Sequence, residues 1–140
     1  MDDLRAHLDA VYRETTYRVE APGRSLAIRL GEPAPALDSL LAAVGLTSWA
    51  FVSAANPHSR PASRADNERA HAALLAHVRE GGWPVFEGLG LPAAPGWAPE
   101  RSLLVVGIAH RDALRLGREF GQNAILLGVA GAPAELAWLD

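Results

Sequence analysis

A chain of 140 residues has room for one compact domain, and residues 1–140 are expected to form it. Hydrophobic residues make up 49 % and charged residues 21 %, an ordinary globular balance that excludes collagenous, coiled-coil and disordered classes. The formal charge of -3 argues against an unspecialised nucleic-acid binder, and the lack of cysteine removes disulfides, thiolate nucleophiles and cysteine-ligated metals.

Every basic residue is arginine. Guanidinium suits bidentate recognition of carboxylate or phosphate, although a GC-rich codon usage yields the same composition. Schiff-base chemistry and a P-loop lysine are excluded either way. The apolar runs are much shorter than the roughly 20 residues needed to cross a bilayer, and the chain opens on Asp2 and Asp3 instead of a basic leader. The expectation is a cytoplasmic protein with no membrane association.

Leu4, Leu8, Val11 and Tyr12 form one helical stripe, predicting a helix over about 3–13. Thr15–Glu20 and Ser25–Leu30 alternate around the turn Ala21-Pro22-Gly23 and read as a hairpin. Leu37, Leu40, Leu41 and Val44 give a short helix stopped by Gly45. Trp49–Ala55 is apolar without alternation, as in a strand covered on both faces, and ends at Asn56-Pro57. Ser63 with Asp66 resembles a capping box opening a helix that runs to Gly81-Gly82.

Trp83–Gly90 is a weaker strand signal, followed by a proline-rich loop over 91–99. Ser102–Ile108, His110–Phe120 and Ala124–Val129 then read as strand, helix, strand. If those two strands share a sheet in parallel, the helix is their crossover. Residues 134–139 fit either an edge strand or a helical turn. The expected fold class is therefore α/β, a mixed sheet of about five or six strands with helices packed on it, in the order α-β-β-α-β-α-β-β-α-β.

Candidate site residues are polar groups out of place. The loop after Trp49–Ala55 lies where open α/β sheets place ligands. It carries Asn56, Ser59 and Arg60, and the next helix brings Asn67 and Arg69. Asn67 shares the stripe of Ala70, Leu74 and Val78, so its amide needs a partner in the loop, in water or in a ligand. The two asparagines either line a site or simply brace the loop. Arg60, Arg64 and Arg69 beside a helix N-terminus favour an anion, or form a solvated face with Asp66 and Glu68.

Gln122 and Asn123 stand between a helix and a buried strand, and they share a rim with Asn56 only if that strand is antiparallel to Trp49–Ala55. Glu100 is the carboxylate placed for general acid or base work, with Trp97 near it as a lid or a stacking platform. There is no GxGxxG, GxxxxGK[ST], HExxH or GxSxG, and the five histidines show no i, i+4 pair, so neither a metal nor a cofactor is expected. His58 beside Ser59 is a poor basis for a Ser/His mechanism.

Tyr12, Thr15-x-Tyr17, AFVSAANPHSR with Asn67 and Arg69, GWAPERSLLVVGI and FGQNAI occur in an order that resembles the bacterial domain-of-unknown-function family 3293. Ala54-Ala55 departs from the bulkier or polar residue expected there. The resemblance implies a small stand-alone bacterial protein and implies no reaction, cofactor or partner. From the residues themselves, the leading expectation is a site for a small anionic or nucleotide-like ligand, with or without catalysis. The alternative is a non-catalytic protein- or nucleic-acid-interaction module using the stripe Arg111, Arg115 and Arg118, with Arg101 nearby. Oligomeric state is not readable from the sequence.

Overall fold

The computed structural model describes residues 3–139. The chain opens with helix α1 (Asp3–Glu14), followed by the hairpin β1 (Thr16–Ala21) and β2 (Arg24–Ile28) and helix α2 (Pro35–Val44). Strand β3 (Ser48–Ser53) leads through a one-turn 3-10 segment, Pro57–Ser59, into α3 (Arg64–Glu80). Strands β4 (Val85–Leu91) and β5 (Glu100–Val106), helix α4 (His110–Glu119), β6 (Ala124–Val129) and β7 (Glu135–Trp138) complete the order.

The local signals act where the sequence places them. Ser63 caps α3 by accepting from Asp66 N at 3.0 Å, and Gly45 ends α2 in the left-handed region at φ 73°. Leu8 and Val11 are the buried stripe of α1, while Leu4 stays 62 % exposed.

The seven strands form one sheet in the order β2-β1-β4-β5-β3-β6-β7, and every neighbouring pair is antiparallel. This corrects the expectation of a mixed sheet of five or six strands. The added strand is β7, four residues long, which pairs along β6 from Ala124↔Trp138 to Leu127↔Glu135. Too short to show a period, it exists because β6 offers it an open edge. The anticipated crossover unit is also modified, since β5 and β6 run parallel but both pair with β3, which lies between them. A single parallel bridge, Leu30↔Ala134, ties the two edges of the sheet together and curls it.

Alternation along β3 divides the core. Trp49 and Phe51 face inward with Tyr17, Ile28, Leu104 and Leu126, and α2 closes this side with Leu37 and Leu41. Ala50 and Val52 face outward with Leu103, Val105 and Ile125, covered by Leu74 and Val78 of α3 and by Ala113 and Leu116 of α4. Each large aliphatic side chain so buried contributes about 1.5–3 kcal/mol. A Cβ at Gly128 would stand 2.3 Å from the Trp49 ring, so glycine there gives the indole its place.

Antiparallel pairing has one consequence for the site. The starts of β1, β5 and β6 and the ends of β3 and β4 all fall on the same rim, as Thr16↔Leu91, Gly90↔Glu100, Ser53↔Ser102 and Phe51↔Leu126 show. The α1–β1 joint, the β3–α3 loop, the β4–β5 loop and the α4–β6 joint therefore meet there.

Candidate functional site

Asn56, the first polar side chain beyond β3, holds this rim together. Its Oδ1 accepts from Ala62 N and from Asn67 Nδ2, both at 3.0 Å, and its own N–H donates to Asn67 Oδ1 at 2.9 Å. Its Nδ2 donates to Glu100 Oε2 at 3.1 Å. One carboxamide thus couples the end of β3, the first turns of α3 and the start of β5. The backbone of Asn56 is left-handed (φ 47°), a conformation asparagine tolerates better than most residues. His58 and Ser59, both at φ 58°, share it, and among the described residues these three are the non-glycine positions with positive φ. Such conformations cost on the order of 1–3 kcal/mol each and persist where surrounding bonds determine them.

Those bonds come from the α4–β6 joint. His58 N donates to Gly121 O at 2.7 Å, Asn123 Nδ2 to Ser59 Oγ at 2.5 Å, and Gln122 Nε2 to Ala55 O at 3.1 Å. Gly121 turns the chain at φ 69° and lies against Pro57, whose Cβ would be 2.9 Å from any Cβ added there. Because β6 is antiparallel to β3, Gln122 and Asn123 do stand on the rim of Asn56.

A cavity of about 820 Å³ opens beside this frame, within the range of small-molecule sites. Of the residues singled out in the sequence, Asn56, Ser59, Asn67, Glu100, Gln122 and Asn123 line it. Arg60 and Arg69 do not: both side chains are exposed, and Arg69 pairs with Asp66 one turn away. Arg64 lines the cavity, and so does Arg101, which is bound by Glu68 Oε2 at 2.6 Å and Glu87 Oε1 at 3.2 Å. Trp97 borders the opening, with its ring centroid 6.1 Å from His7 of α1. Of the α4 stripe, Arg111 and Arg115 are exposed, whereas Arg118 reaches Leu139 O at 3.4 Å.

The inner wall is aromatic and hydroxylic. Tyr12 and Tyr17, which the sequence places on the first helix and in the hairpin but not among the candidate site residues, line it with Phe51. Tyr17 donates to Tyr12 O at 2.9 Å and meets Phe51 edge-on at 5.3 Å. Thr15, Ser53 and Ser102 add hydroxyls, none of them among the candidate site residues read from the sequence. Burial raises the Glu100 carboxyl above the ordinary carboxylate range, and hydrogen bonds from Asn56 and Ser53 oppose this without cancelling it. Burial, helped by the nearby Glu100 charge, pushes the Tyr12 phenol up to about 12, and burial raises Tyr17 as well. The site thus joins a carboxyl biased toward its neutral form to a ring of amide donors and acceptors.

His71 and Glu87 escaped the sequence reading altogether. His71 follows Asn67 by one helical turn of α3, is 3 % exposed, and places Nε2 2.9 Å from Glu87 Oε1 of β4. The signal available was its spacing, since Asn67, His71, Leu74 and Val78 continue one stripe.

The fold and its rim define a class of protein: an α/β domain whose antiparallel sheet gathers four joints around one cavity. The chain belongs to the family described as protein of unknown function (DUF3293), whose profile matches residues 52–125, just over half of the chain. That span includes Asn56, Asn67, Glu100, Gln122 and Asn123, and excludes Tyr12 and Tyr17. No curated protein and no solved structure matches the chain. Among the described residues, no helix is long and apolar enough to cross a membrane.

Proposed function

We propose that the rim cavity binds a small molecule, recognised by Asn56, Asn67, Glu100, Gln122 and Asn123. The observation that carries this reading is the convergence of side chains from β3, α3, β5 and the α4–β6 joint on one cavity of about 820 Å³. Loop bracing accounts for much of the Asn56 and Asn67 hydrogen bonding, but it does not call for a cavity of this size beside them. Arginine supports an anionic ligand through Arg64 alone, because Arg60 and Arg69 lie outside the lining and Arg101 is taken up by Glu68 and Glu87. The reading is therefore a polar, hydrogen-bonding ligand of low charge. Glu100 supplies a proton donor or acceptor to it, and catalysis by Glu100 would use the same group as a general acid.

Gly90 provides the test. It lines the cavity, and a Cβ there would meet only ordinary contacts, at 3.8 Å from Glu100 O and 4.0 Å from Thr15 Cγ2 and Tyr17 Cδ1. Gly90→Leu should fold and fill the space. In a thermal-shift screen of neutral and anionic metabolites at two salt concentrations, wild type should give salt-tolerant hits among neutral compounds, stabilised by about 2.7 kcal/mol at 100 times Kd. Gly90→Leu should lose them. Hits that survive in the folded variant would place binding elsewhere and refute the reading.

A further inference from the structure

The register of the sheet sets one row of positions at the rim of its concave face. Tyr17 of β1, Gly90 of β4 and Glu100 of β5 are successive cross-strand partners, so their side-chain positions share the face that Phe51, Leu104 and Leu126 occupy deeper in. Glycine stands twice on this face of β4. At Gly88 the Phe51 ring fills the space, since an added Cβ would lie 2.7 Å from it. At Gly90 nothing does, the nearest atoms to an added Cβ being 3.8 Å and 4.0 Å away. A slot two strand spacings wide, about 10 Å between backbones, therefore runs from Tyr17 to Glu100.

The hydroxyls that the strands bring to this row are already bound. Tyr17 Oη donates to Tyr12 O at 2.9 Å and Ser102 Oγ to Glu100 O at 3.3 Å, while Ser53 Oγ, beside the Glu100 carboxyl, donates to Arg101 O and accepts from Ala55 N. Glu100 Oε2 accepts from Asn56 Nδ2, so a proton held by this carboxyl sits on Oε1. Burial favours that neutral acid. We propose that Glu100 Oε1 donates to the carbonyl oxygen of a compact aromatic ligand whose ring lies over Gly90, beside Tyr17 and Phe51. A carbonyl accepts and cannot donate, which suits the proton offered, and an aromatic ring suits walls built from Tyr12, Tyr17 and Phe51. This inference rests on the cavity being a binding site and adds the chemistry of its occupant.

Acetophenone and α-methylstyrene test it, because they share a shape and differ in the carbonyl oxygen. In the full-length wild type, affinity for acetophenone relative to α-methylstyrene should fall about tenfold as pH rises through the folded pKa of Glu100, the scale of one hydrogen bond. The bound 13C-carbonyl resonance should move upfield over the same range. Tyr12 of α1 and Tyr17 of β1 feel the Glu100 charge but keep their protons there, Arg64 of α3 lines the cavity, and Glu68, Glu87 and Arg101 pair with one another on the α3 side of the sheet. Glu100→Gln keeps an acceptor for Asn56 and a donor in place of Oε1, so its ratio should stay constant with pH. Should that variant fail to fold, the wild-type ratio and carbonyl resonance decide alone. A wild-type ratio that does not change with pH, or one that titrates equally in Glu100→Gln, would overturn the role of Glu100 while leaving the cavity reading intact. Binding of neither compound, or binding that persists in Gly90→Leu, would overturn both.

Discussion

At the scale of single residues, Glu100 is the most consequential side chain in the site, since its environment favours the neutral acid. Burial raises its pKa in the folded state above the ordinary value of 4.5. The folded protein therefore holds this proton more tightly than the unfolded chain does. The stability this contributes is present in full below about pH 4.5 and is lost as pH rises through the folded value. Glu100→Gln keeps the shape and an acceptor for Asn56 Nδ2 but removes the titration. Urea unfolding of both proteins at stepped pH should show wild type losing stability relative to Glu100→Gln across that window, then running level with a constant offset. A constant difference across the whole range would mean that Glu100 is ordinarily hydrated.

At the scale of elements, α1 decides how closed the cavity is. It lays Leu8, Val11 and Tyr12 against the rim, and Tyr12 meets Trp138 of β7 edge-on at 5.8 Å, with the Arg5 guanidinium 4.5 Å from the centre of the same indole. Tyr12 and Tyr17 are the two tyrosines of the chain, so their ultraviolet titration reads this packing without interference. The account predicts no tyrosinate transition near the ordinary value of 10.0, with Tyr12 ionising at about 12 and Tyr17 only above it. A tyrosine ionising near 10 in the folded protein would mean that α1 stands away from the rim.

The same elements show what the sequence made legible. Punctuation did most of the work: Gly45 ended α2 and Ser63 opened α3 by accepting from Asp66 N, each through local geometry that a residue type requires, whereas β3 stops at Ser53, three residues before Asn56. Over 134–139 the sequence left an edge strand and a helical turn both open, because so few residues carry no period, and the structure forms the edge strand β7 there. Glu87 escaped because a lone acid in a glycine-interrupted strand has no local mark, and it acquires meaning only from His71, sixteen positions away in sequence. Asn56, Asn67, Glu100 and Asn123 were legible as polar groups at element ends, whereas Arg60 and Arg69 were chosen on charge, which does not report the direction of a side chain.

For the whole molecule, the decisive property is strand direction. Had β6 been parallel to β3, Gln122 and Asn123 would lie on the opposite rim from Asn56, and the frame around the cavity would not exist. Periodicity carries no information on pairing sense, because a buried strand reads the same in either direction. The curl imposed by the Leu30↔Ala134 bridge, with α2 inside and α3 and α4 outside, leaves the cavity at the gathered rim.

The central claim, that this rim is where the protein binds its ligand, is tested most directly by mapping the strongest neutral hit onto the 1H-15N spectrum of the full chain. The account predicts that the side-chain amide signals of Asn56, Asn67, Gln122 and Asn123 shift together with the backbone signals of Glu100 and Arg101, while Arg111 and Arg115 on the outer face of α4 stay still. Shifts confined to Arg111–Arg118, with the four carboxamides unmoved, would contradict it and make the exposed face of α4 the working surface instead.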